Sequence, residues 1–567
     1  MTSVFFSNYF ILIYIFFSGL IFSKLIINED KHQNNFEVFF IGFIFLSILS
    51  LLLNFVIPLN KLNNTILTLI LFFLFLYQFF NLKKIYIKSL FIISIIITLT
   101  SSILLYKSNI FRPDAGLYHL PFIKTLNDEK IVFGLSNIHS RFGHISITQF
   151  LSAHLNNYLI GENGISIPHA ILAAVFLIYL FFEIKKYKKY NLYFLFIFFS
   201  FLFATIYLKR YSEYGNDAPG FIFSILTIIS YLKYRFLNKE KKYFYLSCLF
   251  GIYAFCIKSF LIVIVLVPML SMNFKEIKKL LFDKKIYLFL SIILIWSLKN
   301  IINTGCIIYP VHQLCFEVLS WSDIEKTKYS NIAGEAASKG YLDKIKILKE
   351  NNYLTNQNNE ITEYQKFNQN FNWFKIWSKH HLIKIIDKIF LFFLIVFFYY
   401  IIYKIYFLHK IKNISKDNIL KNFYSLFLIA FLGILIWFLK FPVYRFGVPF
   451  IYLVITLIFF YFINSIKLDQ KKLNLHKKIM IAFFTIFIVL INSVRIIKNK
   501  DNSNWPNIYK MGNNVNYLEI IINKKIAYSK ADSECMYGRG LCGNENISVN
   551  FTEKYGYKFF LKKYNFE

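Results

Sequence analysis

Long apolar runs alternate with short polar segments along almost the whole chain of 567 residues. An α-helix needs about 20 mostly apolar residues to cross a bilayer, and many of these runs approach that length. The alternation therefore predicts an all-α polytopic membrane protein with about fourteen transmembrane or partly spanning helices. The runs lie at 4–27, 37–57, 65–82, 88–106, 165–183, 192–208, 219–234, 243–257, 260–272, 286–302, 388–407, 423–439, 448–466 and 478–495.

The two shortest runs, 243–257 and 260–272, flank Lys258 and Ser259. At a rise of about 1.5 Å per residue, neither run can cross a bilayer unaided, so we expect a shallow or broken hairpin here. Transporters and lipid-handling enzymes both use broken helices of this kind.

The pattern divides the chain into six segments, each defined by its apolar runs or by their absence. They are an N-terminal four-helix membrane segment (1–106), an outer loop with candidate catalytic residues (107–164), membrane helices with a broken hairpin at 258–259 (165–302), an outer loop with an interfacial helix around Trp373 and Trp377 (303–387), C-terminal membrane helices (388–495) and a small outer α+β domain (496–567).

The charge of the chain supports a membrane orientation rather than a nucleic-acid partner. The formal net charge is +33, but the lysines lie in short clusters between alternate apolar runs. Such clusters set orientation through the positive-inside rule, which places them in the cytoplasm and the long loops and C-terminus outside. We therefore expect an inner (plasma) membrane protein with a periplasmic or extracellular face for the long loops, membrane lipid as a partner and no nucleic acid.

Four of the six cysteines fall in two close pairs on the predicted outer face. Cys306 and Cys315 share one loop, and Cys535 and Cys542 lie in the C-terminal segment. Thiols on an oxidising face favour disulfides. Four thiols allow three pairings, of which we favour the one that joins sequence neighbours.

The segment from Arg112 to His144 is the most polar interruption of the apolar pattern, with three glycines, two prolines, three histidines, three carboxylates and two arginines. The whole chain has only seven arginines. Four of them lie in predicted outer loops, where the positive-inside rule does not call for positive charge: Arg112, Arg141, Arg210 and Arg445. The guanidinium group donates paired hydrogen bonds to phosphate or carboxylate, so we expect an anionic ligand on this face. For any single arginine, helix capping or headgroup contact is the alternative.

Five short motifs carry a resemblance to known proteins: Asp114–His119 (DAGLYH), Gly134–Gly143 (GLSNIHSRFG), Lys258-Ser259, Thr304–Pro310 (TGCIIYP) and Pro442–Gly447 (PVYRFG). In this order they are similar to a group of bacterial membrane proteins of unassigned function. The many helices, the acidic residue in an early outer loop and the C-terminal outer domain resemble the GT-C class of membrane glycosyltransferases. That resemblance implies transfer of a sugar from a polyprenyl phosphate or diphosphate carrier to a glycan, lipid or protein acceptor.

The resemblance implies two carboxylates at the site. Asp114 is the candidate general base, because transfer to a hydroxyl requires a group that takes its proton. Asp217, in a later outer loop, is the second candidate catalytic residue. Both also suit the N-terminus of a helix, since aspartate is a favoured cap.

The remaining candidates would bind the donor or acceptor. Lys258 and Arg445 would hold the phosphate, because cations stabilise a departing phosphate, and a lysine within an apolar stretch normally faces a cavity or a partner. Tyr118 and His119 would bind sugar hydroxyls. The spacing of His139, Arg141 and His144 suits an extended or turn segment that faces the same cavity and binds substrate, with solvated loop histidines as the alternative. No firm cofactor follows, and a divalent metal held by Asp114 and His119 is only an alternative, because no metal-binding spacing is present.

Two further functions remain open from the sequence. A polysaccharide polymerase or ligase acting on lipid-diphosphate glycans would also use outer arginines, without needing a carboxylate. A transporter would place its charges in the middle of the membrane and show internal repeats, whereas the polar residues here gather towards one face.

Overall fold

A computed structural model describes most of the chain. The described residues are 2–27, 34–80, 84–107, 114–186, 192–207, 215–238, 240–272, 282–342, 360–407, 417–464, 515–543 and 549–562, together with 278, 475, 478, 479, 482, 486 and 494.

Most of the apolar runs fold into helices whose ends lie close to the predicted ones. The helices up to the broken hairpin are α1 (Thr2–Ile27), α2 (Asn35–Asn54), α3 (Lys61–Phe80), α4 (Lys84–Lys107), α5 (Leu120–Asp128), α6 (Thr148–Leu155), α7 (Asn163–Lys186), α8 (Leu192–Tyr207), α9 (Asp217–Lys233) and α10 (Lys241–Ile257). Those after it are α11 (Ile262–Val265), α12 (Lys284–Thr304), α13 (Ile324–Ser338), α14 (Glu360–Asn368), α15 (Phe374–Trp377), α16 (Ile383–Phe407), α17 (Asp417–Lys440) and α18 (Tyr444–Asn464).

Short π-helical and 3₁₀ turns connect several of these helices. The π turns are Ala115–His119, Tyr234–Asn238 and Ser378–Leu382, and the 3₁₀ turns are Leu135–Asn137, Ser140–His144, Ser259–Leu261, Pro268–Ser271 and His312–Leu314.

Within the described residues, four helical segments are long and apolar enough to cross a membrane: Val4–Lys24, Asn35–Asn54, Asn163–Lys186 and Lys284–Thr304. Shorter apolar helices accompany them, among them Tyr193–Thr205 and Tyr444–Ile458. The last predicted run, 478–495, lies largely outside the described residues. Several helices of this chain could therefore span a membrane.

The chain breaks its helical path at Lys258. Helix α10 ends at Ile257, and Lys258 is extended, with φ −144° and ψ 115°. The predicted run 260–272 is not one regular helix but a 3₁₀ turn, the single turn α11 and a second 3₁₀ turn that begins at Pro268. Proline has no N–H to donate within a helix, and four consecutive β-branched residues from Ile262 to Val265 weaken helix propensity further.

A buried ion cluster ties three helices together. Lys233, at the end of α9, donates to Glu37 of α2 at 2.8 Å and to Glu183 of α7 at 3.1 Å, and all three side chains are buried. Such an ammonium is tolerated only with carboxylate partners. The cluster fixes one end of α9, whose other end begins with Asp217.

The polar segment after α4 is a packed layer rather than an open loop. Leu120, Phe122 and Phe142 are buried in it. Asn127 of α5 donates to the carbonyl of Ala153 at 3.0 Å, and Asn64 of α3 donates to the same carbonyl at 2.9 Å. These buried side-chain bonds join α3, α5 and α6.

The described C-terminal residues form two small sheets. Strands β1 (Tyr517–Ile522) and β2 (Lys525–Ala531) are antiparallel, β3 (Cys542–Gly543) is parallel to β2, and β4 (Asn550–Lys554) pairs antiparallel with β5 (Tyr557–Leu561). A small α+β region was expected here, and its described part contains strands. Disulfides join Cys535 to Cys542 in this region and Cys306 to Cys315 in the loop after α12.

These sheets dock on the polar layer through hydrogen bonds. The Tyr537 hydroxyl donates to Asn127 at 2.8 Å and accepts from Asn156 at 2.6 Å. Phe133 exchanges backbone bonds with the last strand, donating to the carbonyl of Lys558 and accepting from Phe560, both at 2.9 Å. The C-terminal region is therefore fastened to the segment that contains Asp114.

The tryptophans of the predicted interfacial helix are buried. Trp373 and Trp377 pack against Phe438 near the end of α17, with ring centroids 5.3 Å away in both cases. Phe374 and Ile383 remain exposed on the same segment. The segment is thus attached to the helices by its large aromatic side chains.

Candidate functional site

Two arginines from distant parts of the chain meet at Asp114. Arg141 contacts one carboxylate oxygen at 2.8 Å, and Arg445, in the first turn of α18, contacts the other at 3.4 Å. The three side chains are between 35% and 49% exposed, so the cluster is accessible from outside the fold. Burial alone would raise the pKa of Asp114, but the two guanidinium groups outweigh it and hold this pKa below its usual value.

The π turn after Asp114 places Tyr118 and His119 beside it. The guanidinium carbon of Arg141 lies 5.2 Å from the centre of the Tyr118 ring, within cation–π distance. The His119 ring is buried, and its Nδ1 accepts from the amide of Gln149 at 2.7 Å. Burial lowers the pKa of His119 to about 3 despite the nearby charge of Asp114. His119 is therefore a neutral hydrogen-bonding group.

A second ion pair lies next to the first. Lys258, at the break after α10, is paired with Asp217 at the start of α9. The Phe446 ring connects this pair with the arginine cluster: its centre is 4.5 Å from the Lys258 ammonium and 5.1 Å from the Arg445 guanidinium carbon. The motifs around Lys258 and Arg445 thus meet at one aromatic ring that both cations approach.

The turn that bears Arg141 is held from both sides. His139 is buried, and its Nδ1 accepts from the backbone N–H of Arg141 at 3.1 Å, so it caps this 3₁₀ turn. On the other side, a Cβ at Gly143 would come within 2.5 Å of the Tyr309 ring, which requires glycine there. The ring centres of His144 and Tyr309 are 5.0 Å apart. His139, expected to bind substrate, positions Arg141 in this structure.

The C-terminal region contributes a carboxylate that sequence reasoning missed. Glu534 lies over Gly116: a Cβ at Gly116 would be 2.3 Å from its Oε2, and the neighbouring Met536 donates its backbone N–H to the Gly116 carbonyl at 2.9 Å. Oε2 is buried and has no hydrogen-bond partner among the described residues. Burial raises the pKa of Glu534, and the charge of Asp114 raises it further. No sequence signal pointed to it, because the contact depends on how the region docks.

Several other buried polar atoms near this site lack partners within the described part of the chain. They are Oε1 of Gln149, both ring nitrogens of His169 and Oδ1 of Asn216. Gln149 bonds to His119. Asn216 lies between Gly215 and Asp217, and a Cβ added to Gly215 would be 3.8 Å from the His119 Nε2. Unsatisfied buried groups of this kind are costly, which is typical of a site that receives a polar ligand.

Some expected contributors fall outside the described residues. Arg112 and Arg210 are among them, so the structure brings together two of the four outer arginines, Arg141 and Arg445. In the described ranges, no group of three or more histidine, cysteine, aspartate or glutamate side chains is arranged to hold a metal ion.

The comparison with known proteins identifies a family but no function. Residues 1–452 match the family described as a domain of unknown function, DUF8201, and this match includes Asp114, Asp217, Lys258 and Arg445. No curated protein and no solved structure matches the chain. Because the family match extends over most of the sequence, the protein belongs to the DUF8201 family.

Proposed function

We propose that the protein is a membrane glycosyltransferase that moves a sugar from a polyprenyl phosphate or diphosphate carrier to an acceptor on the outer face of the bacterial inner membrane. The observation that carries this proposal is the meeting of Asp114 with Arg141 and Arg445 beside Lys258. Together they offer three cations for a phosphate and a carboxylate for an acceptor proton.

The arginines suit an anionic ligand because their present bonds are exchangeable. Ion pairs between partly exposed side chains contribute only about 0–1 kcal/mol. A phosphate carries more charge than one carboxylate and accepts paired hydrogen bonds from guanidinium groups, so it can displace Asp114 from Arg141 and Arg445. Lys258, whose ammonium shares the Phe446 ring with Arg445, would support the same phosphate.

Donor binding would then make Asp114 more basic. Burial raises the pKa of Asp114, and the two guanidinium groups together lower it by more. Once a phosphate takes both arginines, the effect of burial dominates and the carboxylate becomes a better proton acceptor. Binding of the donor is in this way coupled to activation of the predicted base.

The reaction follows from these positions. The acceptor oxygen forms a bond to the anomeric carbon as the bond from that carbon to the phosphate oxygen breaks. The phosphate keeps the electron pair and is stabilised by Arg141, Arg445 and Lys258. The proton of the acceptor hydroxyl passes to the carboxylate at the site, and the anomeric configuration is inverted.

The unpartnered polar atoms around His119 support a sugar as the ligand. His119 is neutral, and Gln149, His169 and Asn216 have buried atoms without partners in the described structure. Leaving such an atom unpaired costs about 1–3 kcal/mol, so hydroxyl groups that pair with these atoms would bind favourably.

The placement of the site at helix ends agrees with a membrane-edge location. Asp217 begins α9, Lys258 follows the end of the antiparallel α10, and Arg445 lies in the first turn of α18. This face would be periplasmic or extracellular in the proposed topology of about fourteen passes, which rests on the positive-inside rule.

The test compares Asp114→Asn with Asp128→Asn in purified protein, using transfer of radiolabelled sugar from extracted lipid-linked donor. Asp128 is the matched control, because it pairs with Lys124 on the surface of α5. Asp114→Asn should lower turnover by about 10²–10⁴-fold with donor binding kept, since general-base catalysis contributes that much. Asp128→Asn should behave like the wild type.

The polymerase or ligase is the second candidate, and the two arginines on Asp114 favour it. It would take the lead if Asp114→Asn turned over like the wild type while Arg445→Ala abolished activity. Under the proposed transferase, Arg445→Ala and Lys258→Ala weaken donor binding, whereas Arg539→Ala, which removes an exposed ion pair with Glu519, leaves it unchanged.

A further inference from the structure

We propose that Glu534 is a further carboxylate of the active centre and that it receives from Asp114 the proton released by the acceptor hydroxyl, so that Asp114 and Glu534 work as a pair. This inference rests on the proposed transferase function and adds to it a residue that lies outside residues 1–452 of the family match. It also gives the C-terminal region a chemical role in the transfer.

Glu534 is held in place by the two residues that follow it in the chain. Cys535 is fixed by its disulfide to Cys542, and its carbonyl accepts from the Tyr517 hydroxyl at 2.8 Å. The backbone N–H of Met536 donates to the Gly116 carbonyl, two residues after Asp114. The position of Glu534 over the Asp114 turn is therefore set by backbone contacts and does not depend on its side chain.

Within the described part of the chain, no hydrogen bond to Oε2 explains the position of the Glu534 side chain. Its Oε2 is buried against Gly116 without a hydrogen bond to the described residues. A carboxylate fastened at a fold boundary for stability would pair with a cation, as Glu129 does with Lys558 at 2.6 Å in the same interface. An oxygen left unpaired beside Asp114 is instead placed to accept a proton or a substrate hydroxyl.

The charges around the pair favour Glu534 as the site where the proton rests. Asp114 is the neighbour whose charge raises the pKa of Glu534, and the arginines on Asp114 lower the pKa of that aspartate. On the same π turn, His119 is neutral. On the loop of Glu534 itself, Asp532 accepts from Asn516, and Arg539 pairs with Glu519.

When two carboxylates interact, the first proton goes to the less acidic one. While the phosphate holds the arginines, Asp114 takes the proton from the acceptor hydroxyl. When the phosphate leaves and the arginines return to Asp114, Glu534 becomes the less acidic carboxylate and receives the proton from Asp114. The proton that leaves the acceptor oxygen is thus taken up by the pair and held on Glu534, and deprotonation to solvent restores the site.

The kinetic test measures turnover against pH for the wild type, Glu534→Gln, Glu534→Asp and Glu519→Gln. Glu519 is the matched control on the same sheets, with an exposed pair to Arg539. The acid limb of the wild-type profile should lie above the ordinary glutamate pKa of about 4.3, because Glu534 must be deprotonated to act. Glu534→Gln should lower turnover by about 10²-fold or more and remove that limb, with donor binding kept. Glu534→Asp should recover part of the rate.

A second readout does not require activity. Infrared difference spectra of wild type and Glu534→Gln report the titration of the Glu534 carboxyl, and Asp114→Asn should move its midpoint to lower pH by removing a like charge. If the titration midpoint of the Glu534 carboxyl is the same in Asp114→Asn as in the wild type, the two carboxylates do not interact and the proposed pair is wrong. Wild-type turnover and an unchanged acid limb in Glu534→Gln overturn the catalytic role. If the wild type transfers no sugar from any lipid-linked donor, the proposed function fails, and the spectra still decide whether the carboxylates are coupled.

Discussion

Removal of one hydroxyl, in Tyr537→Phe, should loosen the C-terminal region from the layer that contains Asp114. The hydroxyl donates to Asn127 at 2.8 Å and accepts from Asn156 at 2.6 Å, and the Tyr537 side chain is buried. Each such bond contributes about 0.5–1.5 kcal/mol net, so losing both costs about 2 kcal/mol. The amide of Asn156 keeps a bond to Asn127 at 3.1 Å, which prevents a larger loss.

A loss of about 2 kcal/mol raises the undocked fraction about 30-fold. Native-state hydrogen exchange measures it at two interface amides, Met536, which donates to Gly116, and Leu541, which donates to the Thr125 hydroxyl at 2.9 Å. Both should exchange about 30-fold faster in Tyr537→Phe. Tyr555→Phe is the control, because that side chain is 95% exposed. Equal exchange in the two variants would refute the docking role of the Tyr537 hydroxyl.

Three further outcomes follow from the same contacts. Gly116→Ala places a Cβ 2.3 Å from the Glu534 carboxylate, so turnover should fall while donor binding is unchanged. Gly334→Ala is the control, because the space around Gly334 is open, and its turnover should equal that of the wild type. Wild-type kinetics in both variants would contradict the close contact between Gly116 and Glu534. Single cysteines introduced at Lys130 and Tyr555 should react with an impermeant reagent added from outside, and labelling from the cytoplasmic side would reverse the predicted orientation. Peptide mapping without reduction should recover both local disulfides, and four free thiols would contradict an oxidising compartment.

The helices were predictable because burial in a bilayer leaves a strong one-dimensional signal. The run at 165–183 lies within α7 (Asn163–Lys186), and the run at 286–302 lies within α12 (Lys284–Thr304). The signal is weaker where local geometry competes with hydrophobicity, as in 260–272, where Pro268 and a β-branched run replace a regular helix by short turns.

The candidate site was predictable in part, through residue types that a membrane chain uses rarely. Asp114 and Arg141 stood out in the most polar interruption of the chain, and Arg445 as a rare arginine in a predicted outer loop. The structure places the three in contact. His139 stood out equally, but its ring caps the turn of Arg141, a role that depends on backbone geometry.

Glu534 could not be found in this way. Its significance comes from the docking of residues 515–543 against the Asp114 turn, and long-range packing of that kind leaves no periodic pattern in the sequence. The same holds for Gln149, whose amide is recognisable as part of the site only through its bond to His119.

An experimental structure of the protein with a polyprenyl phosphate bound tests the central claim most directly. We predict phosphate density within hydrogen-bond distance of Arg141 and Arg445, near the Lys258 ammonium, with Asp114 released from at least one arginine. Phosphate density at another place, with both arginines still on Asp114, would contradict the proposed site.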